Sequence, residues 1–181
     1  MTQSATTAPH PADLGSAPAD LHQLDWASVH VPGDFCAIPA VIALQAGEAM
    51  ATSRRFGRVH LGSMQEVTYG DIDGDGRPEA ALEVECDNNG GTADGQLGFG
   101  AVILASRHGR LVALGSITPQ EQAPDVHVTL LAGVQIQHGS VIVHENWYRA
   151  TDMTCCATGT AVTTWTLHGD QLSPGTPEIT S

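Results

Sequence analysis

The run Ala80–Cys86 constrains the fold more than any other stretch. Ala80, Leu82, Val84 and Cys86 alternate with Ala81, Glu83 and Glu85. A period of two puts the first set on one face of a strand and leaves the other face in water. Strand-like segments recur along the chain: Trp26–Val31, Val41–Leu44, Glu48–Thr52, Phe56–Leu61 and Glu66–Gly70, then Leu111–Thr118, Val126–Leu131, Val134–Gln137, Val141–Tyr148 and Ala161–Leu167. Phe99–Ala105 is apolar on both faces and reads as a central, doubly covered strand. A helix over Cys36–Met50 is the alternative for that stretch, but Pro39 and Gly47 count against it. Gln45-Ala46-Gly47 then suits a hairpin turn. Roughly ten short strands separated by turn signals predict an all-β domain, a small antiparallel sandwich or partly open barrel with long polar loops.

His-Gly recurs at His108-Gly109, His138-Gly139 and His168-Gly169. The flanking residues share little beyond strand alternation, so the reading is three similar hairpins with exposed turn histidines and no true repeat.

The chemistry concentrates just before Ala80, in Asp71-Ile-Asp-Gly-Asp-Gly-Arg-Pro-Glu79. A tight loop throws its first, third and fifth residues onto one concave side, so Asp71, Asp73 and Asp75 can converge on a cation. Gly76 permits the positive φ of a sharp reversal. Arg77 would offer its backbone carbonyl with its side chain in solvent, and Glu79 would close the shell. Hard oxygen donors without sulfur or imidazole point to Ca2+. An EF-hand needs a bidentate Glu at the twelfth position, which here is Leu82. The ninth-position carboxylate resembles instead the loops of FG-GAP-type repeats. A propeller of such repeats needs roughly four to eight blades, and the motif occurs once.

A net charge of −13 with no lysine argues against nucleic acid and against anionic membrane surfaces, both of which need clustered basic side chains. No stretch is long enough to span a bilayer as a helix. Cys36, Cys86, Cys155 and Cys156 form an even set without a C-x-x-C pair, which points to disulfides and an oxidising compartment. A bridge between adjacent cysteines is far from preferred geometry. The expectation is that Cys36 and Cys86 each pair with one of Cys155 and Cys156, with zinc as the rival reading. Met1-Thr-Gln-Ser lacks a basic and apolar leader pattern; the cysteines outweigh it, so the expected location is extracellular or the cell envelope, with a leader trimmed or replaced.

Enzyme signatures mostly fail. There is no G-x-S-x-G elbow, and Tyr148 stands where a zincin motif starting at His144-Glu145 needs its second histidine. Glu83 and Glu85 share a strand face at about 7 Å, but exposed carboxylates on such a strand are usually its wet side. No catalytic residue is assigned. Trp147, Tyr148 and Trp165 suit packing anchors. The sharper reading is a binding module for cell-wall glycan or an envelope protein, using Trp147 and Tyr148 with Asn88 and Asp94 of the polar loop.

Several stretches taken together carry a wider resemblance. They are Tyr69-Gly-Asp-Ile-Asp-Gly-Asp-Gly76, Cys86–Leu97, Thr118-Pro-Gln120, His144-Glu-Asn-Trp-Tyr148 and Cys155-Cys-Ala-Thr-Gly159. In that order, over about Asp25 to Leu172, they resemble secreted or lipid-anchored envelope proteins of actinobacteria. More distantly, Gly91-Thr-Ala-Asp-Gly95 and Gly109–Gly115 look like the LppP/LprE lipoprotein plan. The resemblance implies an exported location and brings no activity; Gly33-Asp-Phe-Cys36 is not a lipobox. The expected organisation is a disordered Ala/Pro/Thr/Ser-rich spacer over residues 1–23, with a marginal helical turn near Pro18–Leu21. A β-domain over residues 24–173 and a flexible tail over residues 174–181 follow.

Overall fold

The computed structural model describes residues 11–90, 95–121 and 127–181. Thirteen strands follow one another: β1 (Ala12–Ser16), β2 (His30–Pro32), β3 (Val41–Ala43), β4 (Glu48–Ser53), β5 (Gly57–Gly70), β6 (Glu79–Asp87), β7 (Gln96–Arg107), β8 (Arg110–Ile117), β9 (Leu130–Gln137), β10 (Ser140–Trp147), β11 (Gly159–His168), β12 (Gln171–Pro174) and β13 (Glu178–Ile179). The only helical elements among the described residues are three single 3-10 turns. The fold is all-β, with a curled antiparallel sheet forming a half-barrel, as the strand periodicity predicts.

A six-stranded sheet runs in the order β1-β8-β7-β6-β5-β4, and a second sheet in the order β12-β11-β10-β9 with β13 also paired to β11. The alternation in β6 assigns its faces. Ala80, Leu82, Val84 and Cys86 enter one core with Val102, Leu104 and the N-terminal segments. Ala81 enters a second core between the two sheets, with Ile103, Val134, Val143 and Trp165. Glu83 and Glu85 continue that second face, half-buried. All three His-Gly pairs lie at hairpin turns, with exposed rings. At the first, His108 and Gly109 both take positive φ, 50° and 77°, the backbone a two-residue hairpin loop requires.

Four expectations are corrected. The cysteines pair as Cys36–Cys86 and Cys155–Cys156. Cys86 points into the first core, where Cys36 meets it from a 3-10 turn (Asp34–Cys36), whereas Cys155 and Cys156 are exposed in the loop between β10 and β11. Cross-pairing would have to drag a buried thiol out of its core.

The spacer reading fails over residues 11–23. There β1 pairs with β8, Asp13 grips Arg110, and Leu14 and Leu21 are buried. One apolar residue per turn or strand was too weak a pattern to show this. The helical turn sits at Leu21–Gln23, capped by Asp20; residues 1–10 lie outside the described residues. The tail is not loose either, since β12 and β13 both zip onto β11. Finally, Gln45-Ala46-Gly47 does not close a simple hairpin: β3 pairs with β2, β4 pairs with β5, and one bridge, Gln45 to Glu48, spans the turn.

Candidate metal centre

The acidic loop joins β5 to β6, as the sequence predicts, and it also fastens the two sheets together. Ile72 is fully buried in the core between them. Its carbonyl accepts the Gly139 amide at 2.7 Å, from the turn between β9 and β10. Gly70 must stay bare because a Cβ there would lie 2.7 Å from the Ile136 Cβ. Gly74 and Gly76 take φ of +77° and +83°, which L side chains adopt only with strain. Between these anchors the chain has little freedom, and the carboxylates go where the backbone sends them.

Asp71, Asp73 and Glu79 each offer an oxygen to a group lying within 4.8 Å of one another. Asp71 caps the loop, accepting the Gly74 amide on Oδ1 at 2.7 Å and the Gly76 amide on Oδ2 at 2.9 Å. Asp73 Oδ1 accepts the Asp75 amide at 3.0 Å. Glu79, 1% exposed, accepts the Ile72 amide on Oε2 at 2.9 Å. Burial pushes the Glu79 carboxyl above its ordinary value and the nearby Asp73 charge adds to this, while the Ile72 amide and Arg107 oppose it.

The Asp75 carboxylate and the Arg77 side chain behave differently from expectation. Asp75 stands outside the group and faces Arg77, which donates from Nη2 at 2.7 Å and Nε at 3.1 Å. That pairing holds the Asp75 carboxyl below its ordinary value. The Arg77 side chain therefore folds back along the loop instead of reaching freely into solvent. Its backbone amide also donates to Asp75 Oδ1 at 2.8 Å. An arginine two residues from an aspartate in a tight turn finds its counter-ion locally.

Arg107 is the residue that sequence reading missed. It ends β7, 28 residues from Glu79, and donates to Glu79 Oε1 at 3.2 Å and to Asp73 Oδ2. Only β6–β7 pairing brings it here, so nothing in the local sequence of the loop announces it. The available hint is a cation at a strand end in a chain without lysine. Four carboxylates against two guanidinium groups leave the ionised loop with a formal charge of −2.

The oxygen set fits a hard divalent cation. Ligands 2.3–2.6 Å from one ion lie at most about 5 Å apart, and the Asp71–Asp73–Glu79 group satisfies that bound. Arg107 occupies part of the same oxygen surface, so ion and guanidinium would share or compete for Asp73 and Glu79.

The residues proposed for ligand contact are not gathered into one site. Tyr148 is 4% exposed, donates its hydroxyl to the Thr154 carbonyl at 3.1 Å and meets His127 edge to face. Trp147 packs against Gly159, where a Cβ would run into the indole, and Arg149 lies over its ring. Asn88 accepts the Gly90 amide at 2.8 Å and shapes its own turn; Asp94 lies outside the described residues. Burial raises Glu83 and Glu85 above their ordinary values, with Glu66 and Asp87 respectively adding repulsion. His144 is exposed while Glu145 is 1% exposed, so the two face opposite sides of β10 as alternation requires.

Glu145 forms a second buried carboxylate centre that sequence reading passed over. Its oxygens accept the Gln120 amide at 3.0 and 3.1 Å, the Glu121 amide at 2.8 Å and the Thr163 hydroxyl at 2.8 Å.

Fold and site define an all-β domain whose two sheets are joined by a carboxylate-rich loop. No family model, no curated protein and no solved structure matches the chain. Among the described residues no helix is long and apolar enough to cross a membrane.

Proposed function

We propose that this is an exported, non-enzymatic domain of the cell envelope in which Ca2+ stabilises the loop between the sheets. The observation that carries the reading is the convergence of Asp71, Asp73 and Glu79 within 4.8 Å on a loop whose Ile72 is buried between the sheets. An ion there would offset the residual negative charge and tighten a junction on which both sheets depend. The export half of the proposal rests on the cysteines, since all four are in disulfides, which persist in oxidising compartments. The domain then serves as a structural or binding module.

Thermal unfolding in EDTA and in millimolar Ca2+ tests the ion. At a hundredfold excess over Kd, binding adds about 2.7 kcal/mol of stability. Asp73→Ala abolishes the calcium-dependent rise in Tm, while the melting of this variant in EDTA shows that it still folds. A wild-type curve that ignores calcium rejects the proposal.

A further inference from the structure

We propose that a cavity beside the Cys36–Cys86 disulfide binds a small amphiphile with an apolar body and a single anionic group. The cavity has a volume of about 390 Å³, within the range of small-molecule sites, roughly 300–1,000 Å³. The chain has three phenylalanines, and all three, Phe35, Phe56 and Phe99, line this one space together with Cys36. Phe35 is close to full burial, while Phe56 and Phe99 are only partly buried. In a chain so poor in aromatic residues, two rings left facing a shared concavity give up burial that a core position would supply.

The walls are held in place from several sides. Gly100 leaves room for the 3-10 turn that carries Phe35, since a Cβ there would lie 3.0 Å from the Phe35 Cβ and from the Ile117 carbonyl. Opposite, the buried Ser53 hydroxyl accepts the Arg55 and Phe56 amides at 3.1 and 3.2 Å. The Arg54 amide donates to the Ala37 carbonyl at 2.9 Å, tying that turn to the Phe35 segment. The disulfide fastens the same segment to β6. The cavity is thus braced by covalent, hydrogen-bonded and packed contacts.

Charge selects the ligand. Arg77, Arg107 and Arg110 each hold an aspartate; of the four arginines without an ion pair among the described residues, only Arg55 lines the cavity. Arg55, which lines the cavity, has no ion pair among the described residues; its guanidinium lies over the Phe56 ring, 5.1 Å from the centroid. In a protein of net charge −13, a cation without an ion pair, lying over the Phe56 ring in this cavity, complements an anionic head group on an apolar body. Asp34, the acid in the lining, accepts the Ser116 hydroxyl and keeps its charge, so the anionic group is seated at Arg55 and not at Asp34.

The site stands apart from the calcium reading, because none of Asp71, Asp73, Asp75 or Glu79 lines it. The test titrates the full chain with the anionic probe 1-anilinonaphthalene-8-sulfonate and the neutral probe N-phenyl-1-naphthylamine, in EDTA and in calcium. Both bind one saturable site in either medium. Arg55→Gln, an exposed change, weakens the anionic probe about tenfold and leaves the neutral one within about twofold, while Phe99→Ala weakens both. Displacement of the anionic probe by 3-phenylpropionate, by octanoate or by both shows which apolar body the cavity takes. Absence of saturable binding, an Arg55→Gln effect equal for the two probes, or displacement by neither acid overturns the proposal.

Discussion

Glu79 and Glu145 are each 1% exposed, each at a β-strand of a different sheet, yet the protein treats them differently. Glu145 is enclosed by donors: two backbone amides and the Thr163 hydroxyl, itself fully buried, converge on its two oxygens. Among the described residues, no cluster of three acids forms around it. Glu79 has one backbone amide and Arg107, and it sits beside Asp71 and Asp73. One carboxylate has been satisfied by the fold alone; the other belongs to a group that keeps surplus negative charge after its amide and guanidinium bonds are made. A buried acid becomes a candidate ligand where the protein's own donors fall short, and by that measure the loop is the proposed site and Glu145 a clasp.

The largest expected effect tests the clasp. Glu145→Gln turns one acceptor oxygen into a donor facing backbone N–H groups and should cost about 3 kcal/mol, measured by urea unfolding, with the same loss in EDTA and in calcium. A loss that calcium restores would break the comparison. Arg107→Gln should come next, with opposite signs in the two media. Without calcium it removes a charge-assisted bond to buried Glu79, costing about 2 kcal/mol; with calcium it removes a competitor, tightening Kd roughly tenfold by isothermal titration. Equal effects in both media would mean that Arg107 and the ion do not share oxygens.

Acidification sharpens the contrast further. Burial raises Glu79 above its ordinary value, so the folded, ion-free protein holds that proton more tightly than the unfolded chain. This group therefore destabilises above the raised value, and the penalty fades as pH falls toward the unfolded value. Calcium requires the ionised form, so the Tm difference between calcium and EDTA should shrink as pH falls through the raised Glu79 value. A constant difference would remove Glu79 from the ligand set. The smallest effect belongs to Asp75→Asn, which should shift stability by no more than about 0.5 kcal/mol and alter calcium affinity far less than Asp73→Ala. Equal losses of affinity would restore Asp75 as a ligand.

The strands were legible because alternation in β6 and the apolar run in β7 are strand signals and the His-Gly pairs mark their turns, but the β6 face expected in water is covered by the second sheet, with Ala81 fully buried. The loop was legible as a carboxylate cluster, since its spacing is local. What the sequence concealed was non-local. Arg107 reaches Asp73 and Glu79 only through β6–β7 register, and Glu145 meets Gln120 and Thr163 from separate segments. The disulfides were misread because cysteine spacing says nothing about which core a thiol faces. β1 and β13 were missed because short edge strands carry too few apolar residues to show a period.

The two terminal strands have a practical consequence for handling the protein. β12 covers Trp165–His168 and β13 covers Ala161–Val162 on the same side of β11. Thr180 and Ser181 continue that cover through Thr160. Trimming the last four residues would uncover a length of unpaired β11 backbone, a ready template for a strand from another molecule. Preparations cut back there for crystallisation should self-associate more than those that keep residues 178–181.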